Sequence, residues 1–245
     1  MRKLYEEKEV LFAVLWIIAY CAVMTPIKGQ FGYESVWWLL AMTVFTAGIM
    51  TFVKANHLEE KYGLTGFPKD MKRYLFFAPM FILATGNLWD GFSLSCKGTE
   101  LVIATLSMIL VGFVEEMIFR GFLFKAMLAN GKTVPAIIVS AVTFGIGHIV
   151  NLFAGQASLE TVMQVVFAVS WGFILTMVFY KSKSLIPCII AHAMIDVFSL
   201  YGADNELADR IYIGVTIVTA VIYCIYLRRL NDEKDLLRSE KSKEV

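Results

Sequence analysis

Charged residues are scarce in this chain of 245 residues. Asp, Glu, Lys and Arg make up 18% of it, whereas 58% of the residues are hydrophobic and the mean hydropathy is +0.66. A water-soluble domain of this size carries more charge, so the composition indicates a membrane protein that contacts the lipid bilayer. Neither sign of charge dominates, because 22 basic residues stand against 21 acidic ones. Nucleic-acid binding requires a basic face, so no nucleic-acid partner is expected.

Cysteine and histidine are also rare. The four cysteines are widely scattered, so no disulfide framework and no CxxC metal site is predicted. Of the three histidines, His57 lies in a polar stretch, whereas His148 and His192 lie inside long apolar runs. There is no HExxH motif, the pattern that places two zinc-binding histidines on one helix. The sequence therefore predicts neither a metal site nor any other cofactor.

The chain does contain eight long apolar runs. They lie near residues 10–25, 36–53, 74–89, 99–120, 134–153, 159–180, 185–200 and 211–227. Each is close to the ~20 residues that a helix needs to cross the hydrocarbon core. The runs predict an all-α polytopic membrane protein with about eight transmembrane helices. We expect a single transmembrane domain over residues 1–230 and a charged cytoplasmic tail over 231–245.

The distribution of basic residues predicts an orientation. If all eight runs cross the membrane, 18 of the 22 Lys and Arg residues lie on the side that holds both termini, three lie on the opposite side, and Arg120 lies within a run. Cytoplasmic loops carry the excess of Lys and Arg. We therefore expect an integral protein of a bacterial plasma membrane, with both termini in the cytoplasm.

Six polar residues interrupt the apolar runs: Glu115, Glu116, Arg120, His148, His192 and Asp196. A charge at bilayer depth costs at least ~2.5–3.5 kcal/mol, so such residues usually pair, face a cavity and serve a function. Glu115 lies 16 residues before Gly131, the turn of a predicted helical hairpin, and His148 lies 17 residues after it. His192 follows Lys183 by nine residues, at a comparable distance from the same membrane face. The spacing predicts that Glu115, His148 and His192 lie in one layer.

Spacing within each helix predicts how these residues divide their roles. Glu116 and Arg120 are four residues apart with the acid first, the favourable order for a helical ion pair. Glu115 points about 100° away from Glu116, so we expect Glu116 to pair with Arg120 and Glu115 to face a cavity. Small residues are predicted to let the two helices of the hairpin approach closely: Gly112, Gly121, Gly145 and Gly147.

Three short motifs carry a resemblance to a known family. Residues 115–120 (EEMIFR) match an EExxxR motif, 144–148 (FGIGH) match FxxxH, and 192–196 (HAMID) match HxxxN/D. In this order, on membrane helices, they resemble the CAAX protease and bacteriocin-processing family of intramembrane glutamic endopeptidases, also called the Abi family. The Ras-converting CAAX endopeptidases belong to it. The region 99–200 has the arrangement of the family's catalytic core.

The resemblance implies hydrolysis of a peptide bond inside the membrane, without a metal and without a covalent intermediate. Glu115 and His148 would hold and activate the attacking water, and His192 with residue 196 would stabilise the oxyanion. Glu116 and Arg120 would support this centre. Many family members have Asn at the last position, where this chain has Asp196. An ionised Asp196 cannot donate a hydrogen bond, so it either carries a proton or orients His192 instead.

Other functions stay open from the sequence. Two histidines and several carboxylates could bind zinc in a membrane peptidase, and intramembrane Glu and His also build proton relays in transporters. A non-catalytic immunity or scaffold protein could share the fold. We expect a glutamic endopeptidase whose active site opens toward the cytoplasm. Its substrate would be a peptide or a membrane protein, and we rank a bacteriocin leader or a membrane-protein segment above a prenylated C-terminus.

Overall fold

The computed structural model describes residues 1–68 and 76–229, which are helical and contain no β-strand; one isolated bridge pairs Phe92 with Gly202. The α-helices of the described residues are α1 (Arg2–Glu7), α2 (Glu9–Phe31), α3 (Val36–Ala55), α4 (Phe77–Ala84), α5 (Gly98–Glu116), α6 (Lys125–Ala129), α7 (Thr133–Gly147), α8 (Ser158–Ser182), α9 (Ile186–Ser199) and α10 (Glu206–Arg229). A π-helix, Met117–Phe124, joins α5 to α6, and 3-10 helices cover Gly86–Leu88 and His148–Ala154. The predicted all-α class is confirmed. The predicted tail 231–245 lies outside the described residues.

Six helical segments are long and apolar enough to cross a membrane. They are Glu9–Phe31, Val36–Ala55, Gly98–Ala129, Thr133–Ala154, Ser158–Ser182 and Glu206–Arg229, with lengths of 20 to 32 residues. At 1.5 Å per residue, each reaches the ~30 Å of the hydrocarbon core. The chain is therefore a polytopic integral membrane protein, as predicted.

The predicted count of eight spans is not confirmed. Helix α9 has 14 residues, or about 21 Å of helix, and α4 has eight, or about 12 Å. The run 74–89 begins outside the described residues, and its helix ends at Thr85, whose hydroxyl donates to the Ile82 carbonyl. An apolar run measures hydrophobicity but does not determine where a helix stops. The orientation, which depends on the parity of the count, stays a prediction.

Local signals explain two helix boundaries that matter for the site. The Ser35 hydroxyl accepts a hydrogen bond from the Trp38 amide (3.2 Å), a side-chain cap that starts α3. The 3-10 helix that follows α7 ends at Gly155, whose φ of 92° lies in the left-handed region that favours glycine. The chain then turns directly into α8.

Aromatic side chains fill the end of the bundle where α2 begins. The Phe12 ring lies 4.8 Å from the Phe52 ring and 5.2 Å from the Phe122 ring, centroid to centroid. Tyr5 packs edge-on against Phe12, and Tyr62 packs edge-on against Phe122. Such contacts add to the apolar burial of the rings. They hold the π-helix against α2 and α3 and leave Phe122 fully buried.

Glycines allow close helix contacts in this bundle. A Cβ built on Gly112 would lie 2.7 Å from the Ala193 amide nitrogen, so α5 touches α9 there. A Cβ on Gly145 would lie 2.7 Å from the Val169 amide nitrogen, so α7 touches α8. The contact at Gly112 brings His192 beside the end of α5.

The two helices of the predicted hairpin also contact each other. The Ser140 hydroxyl of α7 donates to the Phe119 carbonyl of the π-helix at 3.0 Å, and a Cβ on Gly147 would lie 3.8 Å from the Phe119 ring. The hairpin helices therefore approach as predicted, whereas Gly112 and Gly145 face other helices than predicted.

Candidate active site

Glu115 and Glu116 lie where α5 passes into the π-helix. Short π-helical segments recur at functional sites because they change the direction of side chains along a helix. Here Glu115 lines an internal cavity and is 8% exposed, whereas Glu116 is fully buried on the protein side. The two neighbouring carboxylates thus face different surroundings, as predicted from the helical angle between adjacent residues.

One oxygen of Glu116 receives two contacts. The Arg120 guanidinium donates to Glu116 Oε1 at 2.8 Å, and His192 Nδ1 lies 2.8 Å from the same oxygen. Neither charged side chain of the Glu116–Arg120 pair is exposed. The guanidinium carbon also lies 4.2 Å from the centroid of the Phe144 ring, close enough for a cation–π contact. The Glu116–Arg120 pair that the spacing predicts is present. Through Glu116 it also contacts His192, one of the predicted catalytic residues.

Contacts on both ring nitrogens orient His192. Because a carboxylate oxygen accepts hydrogen bonds, Nδ1 is the nitrogen that donates to Glu116. Nε2 therefore faces the cavity, 3.7 Å from Glu115 Oε2 and 3.5 Å from Asp196 Oδ2. Glu116 is therefore the residue that orients the His192 ring, and the sequence did not reveal this contact. Asp196 lies beside the same nitrogen as Glu115.

His148 begins the 3-10 helix at the end of α7 and lines the same cavity. The Phe144 ring lies between the two imidazoles, 5.5 Å from the His148 ring and 5.4 Å from the His192 ring, both edge-on. Within the described residues, no hydrogen bond joins His148 directly to Glu115. The two side chains face a shared space rather than each other, an arrangement that suits two groups acting on one small molecule between them.

Tyr20 is a further contact of Glu115. Its hydroxyl, carried by α2, donates to Glu115 Oε1 at 2.7 Å in a buried setting. The bond joins residues 95 positions apart, and Tyr20 is one of ten tyrosines in the chain. No local pattern distinguishes it from the others, so sequence reasoning missed it.

The cavity has a volume of about 320 Å³, in the range of ligand pockets. Four of the predicted residues contribute to its polar lining: Glu115, His148, His192 and Asp196. Its walls include the rings of Phe119, Phe144, Phe167 and Trp171. An apolar chamber with a few converging polar groups is typical of a site that binds and orients an organic substrate.

The direction of the cavity bears on two expectations together. Along α2 its lining begins at Tyr20, in mid-helix, and continues to Lys28 near the last turn; along α9 it runs from His192 to Leu200. The cavity therefore extends away from the end of the bundle where α2 begins, which buried aromatic rings fill. If the termini are cytoplasmic, the cavity extends toward the opposite face of the membrane, against the expected opening to the cytoplasm. The orientation of the termini and the side on which the site opens both stay predictions.

The described residues contain no group of three or more His, Cys, Asp and Glu side chains placed to hold a metal ion. The carboxylates around His192 instead contact an arginine, a tyrosine and the imidazole itself.

Comparison with known families bears on the segment that carries this geometry. Residues 97–198 match the family model of Rce1-like proteins, described as type II CAAX prenyl endopeptidase Rce1-like. Over this segment, which is less than half of its length, the chain is similar to the Rce1-like family. The resemblance indicated by the three motifs is confirmed, and the Rce1-like segment nearly coincides with the predicted core of 99–200. A comparison with curated proteins finds no match.

All six predicted residues lie inside the Rce1-like segment. The structure places four of them on the cavity and the other two, Glu116 and Arg120, directly behind it. Their catalytic and supporting roles stay predictions. Tyr20 and Lys28, which the structure adds to the cavity, lie on α2, outside that segment.

Proposed function

We propose that this protein is an intramembrane endopeptidase in which Glu115 and His148 activate a water molecule. The observation that carries the proposal is the convergence of Glu115, His148 and His192 on one cavity inside a bundle of membrane-spanning helices. The Rce1-like match over residues 97–198 supports a peptide substrate.

The proposed reaction is direct hydrolysis. A water held between Glu115 and His148 attacks the carbonyl carbon of the scissile bond, and the Glu115 carboxylate accepts its proton. The resulting tetrahedral intermediate carries the negative charge on its oxygen. The proton then passes to the amide nitrogen, the carbon–nitrogen bond breaks, and a carboxylic acid and an amine leave. General base catalysis of this kind contributes typically 10²–10⁴-fold to a rate.

The orientation of His192 defines how it would assist. Its Nδ1–H is used by Glu116, so donation to the oxyanion requires a second proton, on Nε2. Glu115 and Asp196 both lie beside Nε2 and favour the doubly protonated imidazolium. Asp196 thus stabilises the charged form of His192 in this proposal rather than donating to the oxyanion. A positive donor in a dry cavity stabilises developing negative charge far better than one in water.

The test uses purified protein in liposomes and a library of internally quenched peptides. The wild type is compared with Glu115→Gln and His148→Gln, which keep side-chain volume but remove the base. Glu100→Gln is the matched control, because it removes an exposed carboxylate from the same helix α5. His57→Asn is the control for the histidine and suits the left-handed backbone at that position (φ 54°).

We expect Glu115→Gln and His148→Gln to lose at least about 10²-fold in kcat, with both controls near the wild type. Wild-type cleavage that survives both substitutions would contradict the mechanism. Loss on chelation with recovery on adding zinc would favour the metallopeptidase. A folded wild type that cleaves no peptide would favour the immunity or scaffold protein.

A further inference from the structure

Lys28 is a basic residue on the wall of the cavity that the proposed reaction does not use. It lies in the last turn of α2, is half-buried and lines the same cavity as Glu115 and His148. Its ammonium group donates to Asn151 Oδ1 at 3.2 Å, across 123 residues of sequence. This contact directs the ammonium group toward the interior of the protein, whereas a lysine near the end of a membrane helix commonly extends toward the membrane–water interface.

A chain of amides holds the partner of Lys28 in position. Asn151 Nδ2 donates to Gln164 Oε1 at 2.8 Å, and Gln156 Nε2 donates to the same oxygen at 3.1 Å. Asn151 is buried, and its Oδ1 therefore points toward Lys28. The end of α2 is also held closely, because a Cβ on Gly29 would lie 3.4 Å from the Ala154 Cα. The ammonium group is thus preorganised, which lowers the entropy cost of binding a ligand.

The ammonium group of Lys28 contacts no carboxylate among the described residues, although Glu115 on the same cavity acts on its charge from a distance. Its hydrogen-bond partner is a neutral amide oxygen, which takes one of the three hydrogens of the ammonium group. Two hydrogens remain for an acceptor in the cavity. A half-buried positive charge without a carboxylate in contact is suited to an anionic group of a ligand.

The position of Lys28 along α2 sets a spacing from the contact between Tyr20 and Glu115. Tyr20 contacts Glu115, and Lys28 lies eight residues further along the same helix, a rise of about 12 Å between the two backbone positions at 1.5 Å per residue. An extended peptide covers about 3.3 Å per residue. A peptide that runs along α2 with its scissile bond at the level of Tyr20 and Glu115 would therefore bring its third or fourth neighbouring residue to the level of Lys28.

We propose that Lys28 and Asn151 form a subsite for a carboxylate of the substrate, three or four residues from the scissile bond. The inference rests on the proposed peptidase function and adds a specificity to it. The carboxylate belongs either to an Asp or Glu side chain or to the C-terminus of the peptide. Both sources present the same two acceptor oxygens to the ammonium group.

The experiment compares kcat/KM for peptides with and without a carboxylate, rather than measuring a single rate. One neutral peptide that the wild type cleaves is varied in two series. In the first, Glu replaces Gln at each position around the scissile bond. In the second, a free C-terminal carboxylate replaces an amide, at increasing distance from the bond. Each peptide is assayed with the wild type, Lys28→Gln, Lys28→Arg and Lys97→Gln, both in liposomes of neutral phosphatidylcholine and in liposomes that also contain phosphatidylglycerol. Lys97 is exposed and just precedes α5, so its substitution removes the same charge away from the cavity.

We expect the wild type to favour a carboxylate three or four residues from the bond by about 10-fold in kcat/KM, mainly through KM. Lys28→Gln should reduce this ratio to about one, Lys28→Arg should keep part of it, and Lys97→Gln should keep all of it. The series that shows the preference identifies the source of the carboxylate.

Three results would overturn the subsite. In the first, the wild type cleaves neutral and acidic peptides equally well, which leaves the peptidase function intact. In the second, Lys28→Gln keeps the full ratio. In the third, Lys28→Gln changes all peptides alike and does so only in vesicles containing phosphatidylglycerol, which would assign Lys28 to a lipid headgroup. A wild type that cleaves no peptide would contradict the peptidase function and the subsite with it.

Discussion

Glu115 is held from two sides by residues that come from distant parts of the chain. Tyr20 donates to one oxygen from α2, and the His192 ring lies beside the other oxygen from α9. A carboxylate that must accept a proton from water has to keep one oxygen directed at that water. The Tyr20 hydrogen bond occupies Oε1 and so limits how the carboxylate can rotate. Tyr20 is therefore a positioning residue for the proposed base.

Tyr20→Phe removes this hydrogen bond and keeps the ring. A hydrogen bond to a charged group contributes about 1.5–3 kcal/mol, so we expect kcat to fall roughly 10- to 100-fold while KM changes little. Steady-state kinetics with a cleaved peptide measure both constants. Tyr226→Phe is the control, because that tyrosine is exposed on α10. An unchanged kcat in Tyr20→Phe would mean that the hydroxyl does not position the base.

The chain offers two ion pairs with the same spacing and very different surroundings. Glu116–Arg120 is fully buried, whereas the Glu206–Arg210 pair lies on the surface at the start of α10. Arg120→Met removes the arginine charge and leaves the buried Glu116 carboxylate with His192 as its one remaining partner, so we expect a loss of about 3–5 kcal/mol in the free energy of unfolding. Arg210→Met should cost no more than about 1 kcal/mol.

Unfolding in mixed detergent micelles compares these two variants. The double variant Glu116→Gln with Arg120→Met should recover much of the stability, since no unpaired charge remains. Equal losses for Arg120→Met and Arg210→Met would show that burial of the pair does not matter.

Helix contacts decide which side chains meet at the site. The close approach of α5 and α9 at Gly112 places His192 within reach of both carboxylates at the end of α5. Arg120 lies in the π-helix that follows and reaches back one turn to Glu116. The site thus depends on the glycine contact between α5 and α9.

Gly112→Ala tests the helix contact. The added methyl group would meet the Ala193 backbone at 2.7 Å, so the helices must separate, with an expected cost of about 1–3 kcal/mol in stability. Gly214→Ala on α10 is the control, because a methyl group added there would have no atom within 4 Å, and alanine favours a helix by up to about 1 kcal/mol. Thermal unfolding in detergent measures both. A Gly112→Ala protein as stable as Gly214→Ala would contradict the close contact.

At the scale of the whole bundle, the direction of the cavity indicates the face of the membrane from which a substrate would enter. The cavity extends toward the end of the bundle opposite the start of α2, and the basic residues predict that α2 starts in the cytoplasm. A peptidase with this arrangement would take its substrate from the outer leaflet or from outside the cell. The two features together predict an outward-facing protease.

Cysteine labelling in intact bacterial cells tests this orientation. Ser199→Cys places a thiol on the exposed edge of the cavity, and Lys132→Cys places one at the exposed hairpin turn before α7. We expect a membrane-impermeant maleimide to label Ser199→Cys in intact cells, and Lys132→Cys only after permeabilisation. The wild type reports the background from its own four cysteines. The reverse pattern would place the cavity on the cytoplasmic side and contradict cytoplasmic termini.

The sequence by itself determined the membrane class, six of the spanning segments and the six polar residues of the site. Hydropathy and motif spacing are local properties of the sequence, so they can be read without knowing how the helices pack against one another. Tertiary structure alone decided the rest. It ended α4 early, and it brought His192 to Glu116, Tyr20 to Glu115 and Lys28 to Asn151. These three contacts join residues 76 to 123 positions apart, so they depend on how helices pack against one another, which the pattern within a single helix does not encode.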